Sequence, residues 1–309
     1  MLIADFHTHH ACPDYPAVLP HNATGALAAR WADTARRVAD LDGLLAESGR
    51  HGVDLRVLSA PPAMVTPHGE RTRPDDQRRL NDHLATVAAG NPGRLAGLAT
   101  IDAFGGDAAA GEVVRAVREL GLTGIVVDCA AADGRLLGDP AARPTLSAAA
   151  ELGVPVFAHP ISRSTLTAEF AGLGRLGTSL ARGTINAAAL LSLLTGGALA
   201  ALPGLHVVFP MLGVAGLALA AATDEGALLT APDRRAHVYA DTMGFAPSAI
   251  RFATDLLGAD HVVVGGDWPV AERDTTRERV EAALRGAGLD PDERALVAGG
   301  NTLRLLGRG

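Results

Sequence analysis

The sequence predicts an α/β fold made of a single (β/α)8 TIM barrel spanning residues 1–309, on three observations. Short apolar runs alternate with helix-length segments from one end of the chain to the other. The runs are rich in Val, Leu and Ile without clean polar alternation, as parallel strands covered on both faces require. Several intervening segments end in a glycine (Gly49, Gly121, Gly153 and Gly258) that stops a helix just before the next strand. Right-handed crossovers then make a closed barrel the economical arrangement.

In chain order, strands are expected over residues 2–6, 55–59, 95–100, 124–127, 154–158, 206–210, 237–240 and 261–264. Helices are expected between them, over 32–49, 75–89, 107–120, 140–152 and 247–257. Extra length follows strand one (10–31), strand two (60–74) and strand five (160–186). Those loops lie at the C-terminal face of a barrel, where substrate sites are built. The chain shows no repeat and no linker, so one domain accounts for it.

Composition removes several function classes. The chain has 309 residues, 48% hydrophobic and 20% charged, with net charge −7 and pI about 5.9. An acidic balance without a basic run speaks against a nucleic-acid partner. All 27 basic residues are arginine. Schiff-base catalysis, a P-loop lysine and a carbamylated lysine bridging two metals are therefore excluded. Cys12 and Cys129 give no disulfide framework, and the N-terminus carries an acid and histidines where a signal peptide needs a basic start. A cytoplasmic protein is expected. Residues 183–223 hold no ionised side chain, but Gly196-Gly197, Pro203-Gly204 and Pro210 interrupt them. A buried helix, strand and helix is expected there, with no membrane span. The helical parts 187–194 and 212–222 are more apolar than the outside of a lone barrel should tolerate, which predicts a homodimer packed through them.

The chemistry lies at the C-terminal ends of the strands. Strand one runs into Asp5-Phe6-His7-Thr8-His9, where i and i+2 side chains share a face and both histidines can enter the barrel mouth. Strand five ends at His159-Pro160, and strand eight runs through Gly265-Gly266 into Asp267-Trp268-Pro269. Each piece alone has an ordinary reading as a satisfied polar group or a helix cap. Together they bring three imidazoles and a carboxylate to one rim. That donor set suits a divalent ion, zinc first and manganese second, with room for water or substrate.

These motifs resemble the amidohydrolase superfamily, and within it the aminocarboxymuconate-semialdehyde decarboxylase-like branch, the amidohydrolase-related family. The resemblance runs through Asp5–His9, 52–59, Asn81-Asp82, 92–98, 157–160, 265–269 and Gly300-Asn301-Thr302. It implies His7, His9, His159 and Asp267 as ligands of one metal ion. It also exposes a departure. The family usually places a histidine after strand six, where this chain reads Phe209-Pro210-Met211-Leu212-Gly213. Met211 takes that position in this register, and a thioether neither accepts nor delivers a proton at neutral pH. His206 begins the same strand and belongs to the opposite end of the barrel. Nor does the following segment hold the arginine that the semialdehyde decarboxylases use for a substrate carboxylate.

The resemblance favours a metal-dependent decarboxylase of a small organic or aromatic acid, with Asp267 as proton shuttle. A metal-dependent hydrolase of amides or lactones uses the same four ligands and is the alternative. A barrel that lost catalysis and binds a ligand or partner is the third reading, motivated by Met211. For the small-molecule substrate, Arg163 after strand five, Arg30 with Trp31 after strand one, and the apolar Met211 are the candidate contacts. His21 and His68, on loops at the mouth, are weaker candidates for a replacement proton carrier.

Overall fold

A computed structural model of the chain describes residues 1–18, 25–67, 70–162, 164–223, 229, 237–271 and 274–308. The strands are β1 (Ala4–His9), β2 (Leu55–Ser59), β3 (Leu95–Gly97, resumed at Ala99–Thr100) and β4 (Ile125–Asp128). They continue as β5 (Pro155–His159), β6 (His206–Phe209), β7 (Val238–Asp241) and β8 (Val262–Val263). Each pairs in parallel with the next. The two parts of β3 are stitched across Leu98, whose N–H donates to the Leu58 carbonyl at 2.9 Å. First and last strands also meet: the Phe6 N–H donates to the Val264 carbonyl and the His9 N–H to the Trp268 carbonyl, each at 2.8 Å.

The interior explains why the sheet closes. Phe6, Val57, Leu98, Val126, Phe157, Val208, Tyr239 and Val263, one from each strand, form a single buried cluster with Leu305 and Leu306. Their neighbours of opposite parity, such as Val127, Val207 and Val262, pack in a second cluster beneath the helices. Both faces of every strand are thus dry, which is the barrel arrangement and the reason the strands read as continuous apolar runs.

The helix at Pro247–Leu257 has the expected bounds. The expected helix over 32–49 is instead two, Gly25–Ala39 and Leu41–His51. The break falls at Asp40, whose carboxylate accepts the Gly43 N–H at 2.9 Å and caps the second helix. That second helix runs past Gly49 and stops at Gly52, which takes φ +67°. The uncharged span folds as helix, strand, helix: Gly174–Thr195, β6 and Val214–Ala221. Among the described residues no helix is long and apolar enough to cross a membrane.

One carboxylate ties the ends of the barrel together. Asp5 is fully buried and accepts from Arg56 Nη1 at 3.0 Å and Thr275 Oγ1 at 2.9 Å. It also accepts from the backbone N–H groups of His7, at 3.1 Å, and Gly266, at 2.9 Å. Removing one partner of a buried pair strands the other charge, which typically costs about 3–5 kcal/mol. Asp5→Ala is expected to lose about that much stability, read from the midpoint of urea unfolding followed by circular dichroism. A loss below about 1 kcal/mol would show that Arg56 finds another partner.

Candidate metal centre

Following the inward face of each strand to its C-terminal end gives the residues of the mouth. Two positions beyond the interior residues Val126, Phe157 and Tyr239 come Asp128, His159 and Asp241. Val263 leads in the same way through Gly265 to Asp267. β1 departs from simple alternation. Its pairing with β2 shifts between Asp5 and Thr8, an irregularity that lets His7 join Phe6 on the inner side. The His7 ring accordingly lies 4.7 Å from that of Phe157. β1 also runs three residues further than expected, so both histidines sit on strand rather than loop.

The result is a compact donor set. His7, His9, His159 and Asp267 are all buried, and one ligand atom from each lies within 4.8 Å of the others. The His9 ring stands edge-on to His7 and to His159, each at 5.0 Å. Asp267 Oδ1 lies 3.1 Å from His9 Nε2 and 3.3 Å from His7 Nε2. Asp267 reaches this place from a left-handed backbone, φ +56°, a conformation aspartate tolerates better than most residues. The approach depends on the two glycines before it. A Cβ on Gly266 would stand 1.8 Å from Thr275 Oγ1, and one on Gly265 would stand 2.6 Å from Asp241 Oδ2.

The histidines are aimed from behind. His7 Nδ1 is 2.7 Å from Asp241 Oδ2, and His9 Nδ1 is 3.3 Å from Ser59 Oγ. Each ring therefore turns Nε2 toward Asp267, the carboxylate–histidine geometry that orients metal ligands. Asp241 Oδ1 in turn accepts the N–H groups of Met211 at 2.7 Å and Met243 at 2.9 Å.

Electrostatics divide the three rings. Burial disfavours a charged His7, but Asp267 and Asp241 outweigh it and hold its pKa up at about 10. Burial lowers His9 despite its contact with Asp267, and the nearby His7 adds to that. Burial pushes His159 well below the ordinary range, helped by His9 and Arg182. Burial alone would raise Asp267, yet His7 and His9 hold it well below the usual carboxylate range. Burial raises Asp241 against the pull of His7.

A metal ion fits what these residues lack. Both ring nitrogens of His159, and Nε2 of His7, are buried without a hydrogen-bond partner among the described residues. Unpartnered buried nitrogens are costly, and one nitrogen from each of His7, His9 and His159 gathered beside the Asp267 carboxylate suits an N3O ligand set. A second grouping, Glu47, His51 and Asp274, is differently occupied. Glu47 accepts from Trp268 Nε1 at 2.7 Å and Arg37 Nη2 at 3.2 Å, so it anchors the tryptophan after Asp267.

The remaining candidates are scattered. Met211 is buried; its N–H serves Asp241, and its side chain belongs to the apolar cluster that also holds Phe209, Leu190 and Leu217. Arg30 Nη2 donates to the Val270 carbonyl at 2.9 Å, three residues beyond Asp267, and Trp31 is half-buried. Arg163, His21 and His68 lie outside the described residues. Cys129 is buried and reduced. His10 pairs with His83, Nε2 to Nε2 at 3.1 Å, apart from the donor set. Sequence reasoning missed Asp241 and Asp128. Each is the residue just past an expected strand end, and an acid two positions beyond an inward-facing apolar residue was the available signal.

The sequence matches the family model described as amidohydrolase over residues 4–308. The chain belongs to the amidohydrolase family. It is 30% identical over 279 residues to gamma-resorcylate decarboxylase of Rhodococcus jostii (strain RHA1), covering 82% of this chain and 84% of that one. It is 27% identical over 288 residues to 2-amino-3-carboxymuconate-6-semialdehyde decarboxylase of Dictyostelium discoideum, covering 87% and 77%. In fold it is similar to dihydroxybenzoic acid decarboxylase from Polaromonas sp. JS666, a structure with bound manganese and 2-nitroresorcinol. That likeness has a TM-score of 0.82 at 22% identity and covers 99% of this chain and 97% of the other. The amidohydrolase barrel expected from the strand-end motifs is thus the fold and family observed.

Metal uptake should be coupled to proton release. Ligation needs neutral imidazole, and in the metal-free protein His7 carries a proton up to about pH 10. Zinc or manganese titrated into metal-free protein at pH 7 is expected to release about one proton per ion, with affinity rising about tenfold per pH unit toward pH 9. Indicator-dye titration in weak buffer measures this. Uptake that is independent of pH would contradict the protonated His7.

Proposed function

We propose that the protein is a metal-dependent decarboxylase, a carboxy-lyase of a small aromatic carboxylic acid, with His7, His9, His159 and Asp267 holding one divalent ion. The buried cluster of unpartnered histidine nitrogens around Asp267 carries this reading, and the names of the relatives support the reaction type. An ion there would polarise a carboxylate and a neighbouring oxygen of the substrate.

The protein's own groups do the rest. Asp241 and Ser59 keep the His7 and His9 rings in one orientation. Asp267, ionised at neutral pH, is proposed to take up a proton from solvent and pass it to the substrate carbon, so that a C–H bond replaces the C–C bond broken as CO₂ leaves. Met211 leaves the end of β6 without an acid or base, so Asp267 carries that duty without a histidine opposite it. Arg30 and Trp31, beside the segment after Asp267, and Arg163 are proposed to face the substrate's carboxylate and ring.

Three histidines and a carboxylate suit zinc, and manganese is the ion bound in the similar Polaromonas structure. We place the protein in the cytoplasm, in keeping with its buried, reduced Cys12 and Cys129. We also propose a homodimer. Ala187, Ala189, Leu190, Leu193 and Leu194 are buried, so segment 187–194 is taken up by packing within the chain. Leu176 and Leu180, four apart on helix Gly174–Thr195, and Leu219 on helix Val214–Ala221 are exposed and remain for a partner. A monomer in light scattering at micromolar concentration would contradict the dimer.

The test of function is CO₂ release from 2,6-dihydroxybenzoate and related hydroxylated benzoates by protein loaded with zinc or manganese. Decarboxylation should fall at least about 100-fold in Asp267→Asn. Turnover of amides or lactones without CO₂ release would make the protein a hydrolase. A metal-loaded protein that binds these acids and turns over none of the compounds would make it a binding protein.

A further inference from the structure

Beside the metal cluster lies a cavity of about 810 Å³, enclosed by the loops that follow β2, β3, β4 and β5. Pro62, Phe104, Ala130 and Ile161 give it apolar walls. None of the four candidate ligands lines it, but Ile161 lies two residues beyond His159, so cavity and cluster share the β5 exit. A flat ring with one edge at the cluster has room for its body here.

The charges on its walls are not equivalent. Arg71 Nε donates to Asp102 Oδ2 at 2.7 Å, and its Nη2 donates to the Phe104 carbonyl at 3.0 Å. Arg135 Nε donates to Asp133 at 2.9 Å while its guanidinium lies 5.3 Å over the Phe104 ring. These groups satisfy one another. Asp128, the last residue of β4, is engaged only at Oδ1, by the Ala63 N–H at 3.1 Å, and no cation pairs with it among the described residues. It is half-buried and stands in register with His159 on the adjacent strand.

An uncompensated carboxyl in an apolar cavity is costly unless something arrives to bond it. Burial pushes this one up to about 7, with Asp102 adding like charge against the Ala63 hydrogen bond. Near neutral pH it therefore accepts from a hydroxyl in one state and donates to it in the other. A second anion would be repelled.

We propose that this cavity receives the substrate's ring and that Asp128 is a specificity-determining residue that hydrogen-bonds a ring hydroxyl group facing β4. The proposal rests on the decarboxylase reading of the metal cluster. Phe104 and Ile161 contact the ring faces, and the free Asp128 oxygen selects hydroxylated rings over bare ones. A site built around such a hydrogen bond rejects an analogue that lacks it, because its own polar group is left unpaired.

The test uses manganese-loaded protein and calorimetric binding of benzoate against 2-, 3- and 4-hydroxybenzoate. Wild type should prefer at least one hydroxybenzoate over benzoate by about tenfold or more. Asp128→Ala should erase that preference, raising benzoate affinity toward that of the hydroxybenzoates because no polar group is left unpaired, with manganese content unchanged. Asp128→Asn, which keeps shape and hydrogen-bonding capacity, should restore part of it. A preference that survives Asp128→Ala overturns the proposal, as does a wild type that binds benzoate and hydroxybenzoates alike. Wild-type protein that takes up neither manganese nor zinc overturns the decarboxylase reading and the proposal with it. Metal content thus separates the two failures.

Discussion

The Asp5 carboxylate is the constraint on which the rest of the site depends. It has four donors, and they come from four places that must agree: the backbone of His7, the backbone of Gly266, the Arg56 guanidinium and the Thr275 hydroxyl. Two of these belong to segments that carry metal-ligand candidates, one residue before Asp267 and His7 itself. A single buried anion therefore sets the spacing between β1 and the chain leaving β8, where the barrel closes. Arg56 repeats the logic one layer out. It is fully buried, bonds Ser48 Oγ at 2.8 Å and lies 5.8 Å from the Trp268 ring, so the residue after Asp267 is held from the same network.

Four ligand candidates in a dry pocket present a balance of charge that protein alone meets incompletely. His7 and Asp267 attract each other, but His9 and His159 are kept neutral by burial and by neighbouring positive charge. His159 then has two buried nitrogens and no partner among the described residues. A divalent cation would replace one imidazolium proton with two positive charges and would be held by one nitrogen of each ring, including His7 Nε2 and one of the two on His159. The network behind the rings does not change when it enters, because Asp241 and Ser59 address the far nitrogens. The site is prepared on its outer side and incomplete on its inner side, as preorganised metal centres are.

Much of this was legible in sequence because strand ends in a barrel are nearly forced. An apolar run two to six residues long followed by His or Asp puts that residue at the mouth, and three such runs supplied all four ligand candidates. What escaped has a physical cause in each instance. The reading of β4 and β7 stopped where hydrophobicity stopped, but the hydrogen-bonded ladder continues one residue further, through Asp128 and Asp241. The shift in β1 that lets Phe6 and His7 share a side goes with an Asp5 carboxylate that also accepts from Arg56, Gly266 and Thr275, partners distant in sequence that no local pattern contains. The break at Asp40 is local, and its capping bond to Gly43 was a readable signal that a continuous helical period concealed. Arg56 is buried opposite Asp5 on the adjacent strand, a pairing that no local pattern contains.

At the end of strand six the backbone and the side chain of one residue serve different ends. Met211 brings no proton chemistry, yet its N–H is one of three donors to Asp241, beside Met243 and His7. The backbone at that position thus still serves the cluster although the side chain packs with apolar neighbours. With Met211 rather than a histidine just past the C-terminal end of β6, the carboxyls at the mouth divide into distinct roles according to their surroundings. Asp267 is stabilised as an anion by two histidines, and Asp241 spends its oxygens on orientation. Asp128 keeps one oxygen without a partner among the described residues, and it faces the large cavity at this rim. Specificity is therefore most economically placed on β4, since Asp241 on β7 is held by His7, Met211 and Met243 and Asp267 belongs to the candidate ligand set.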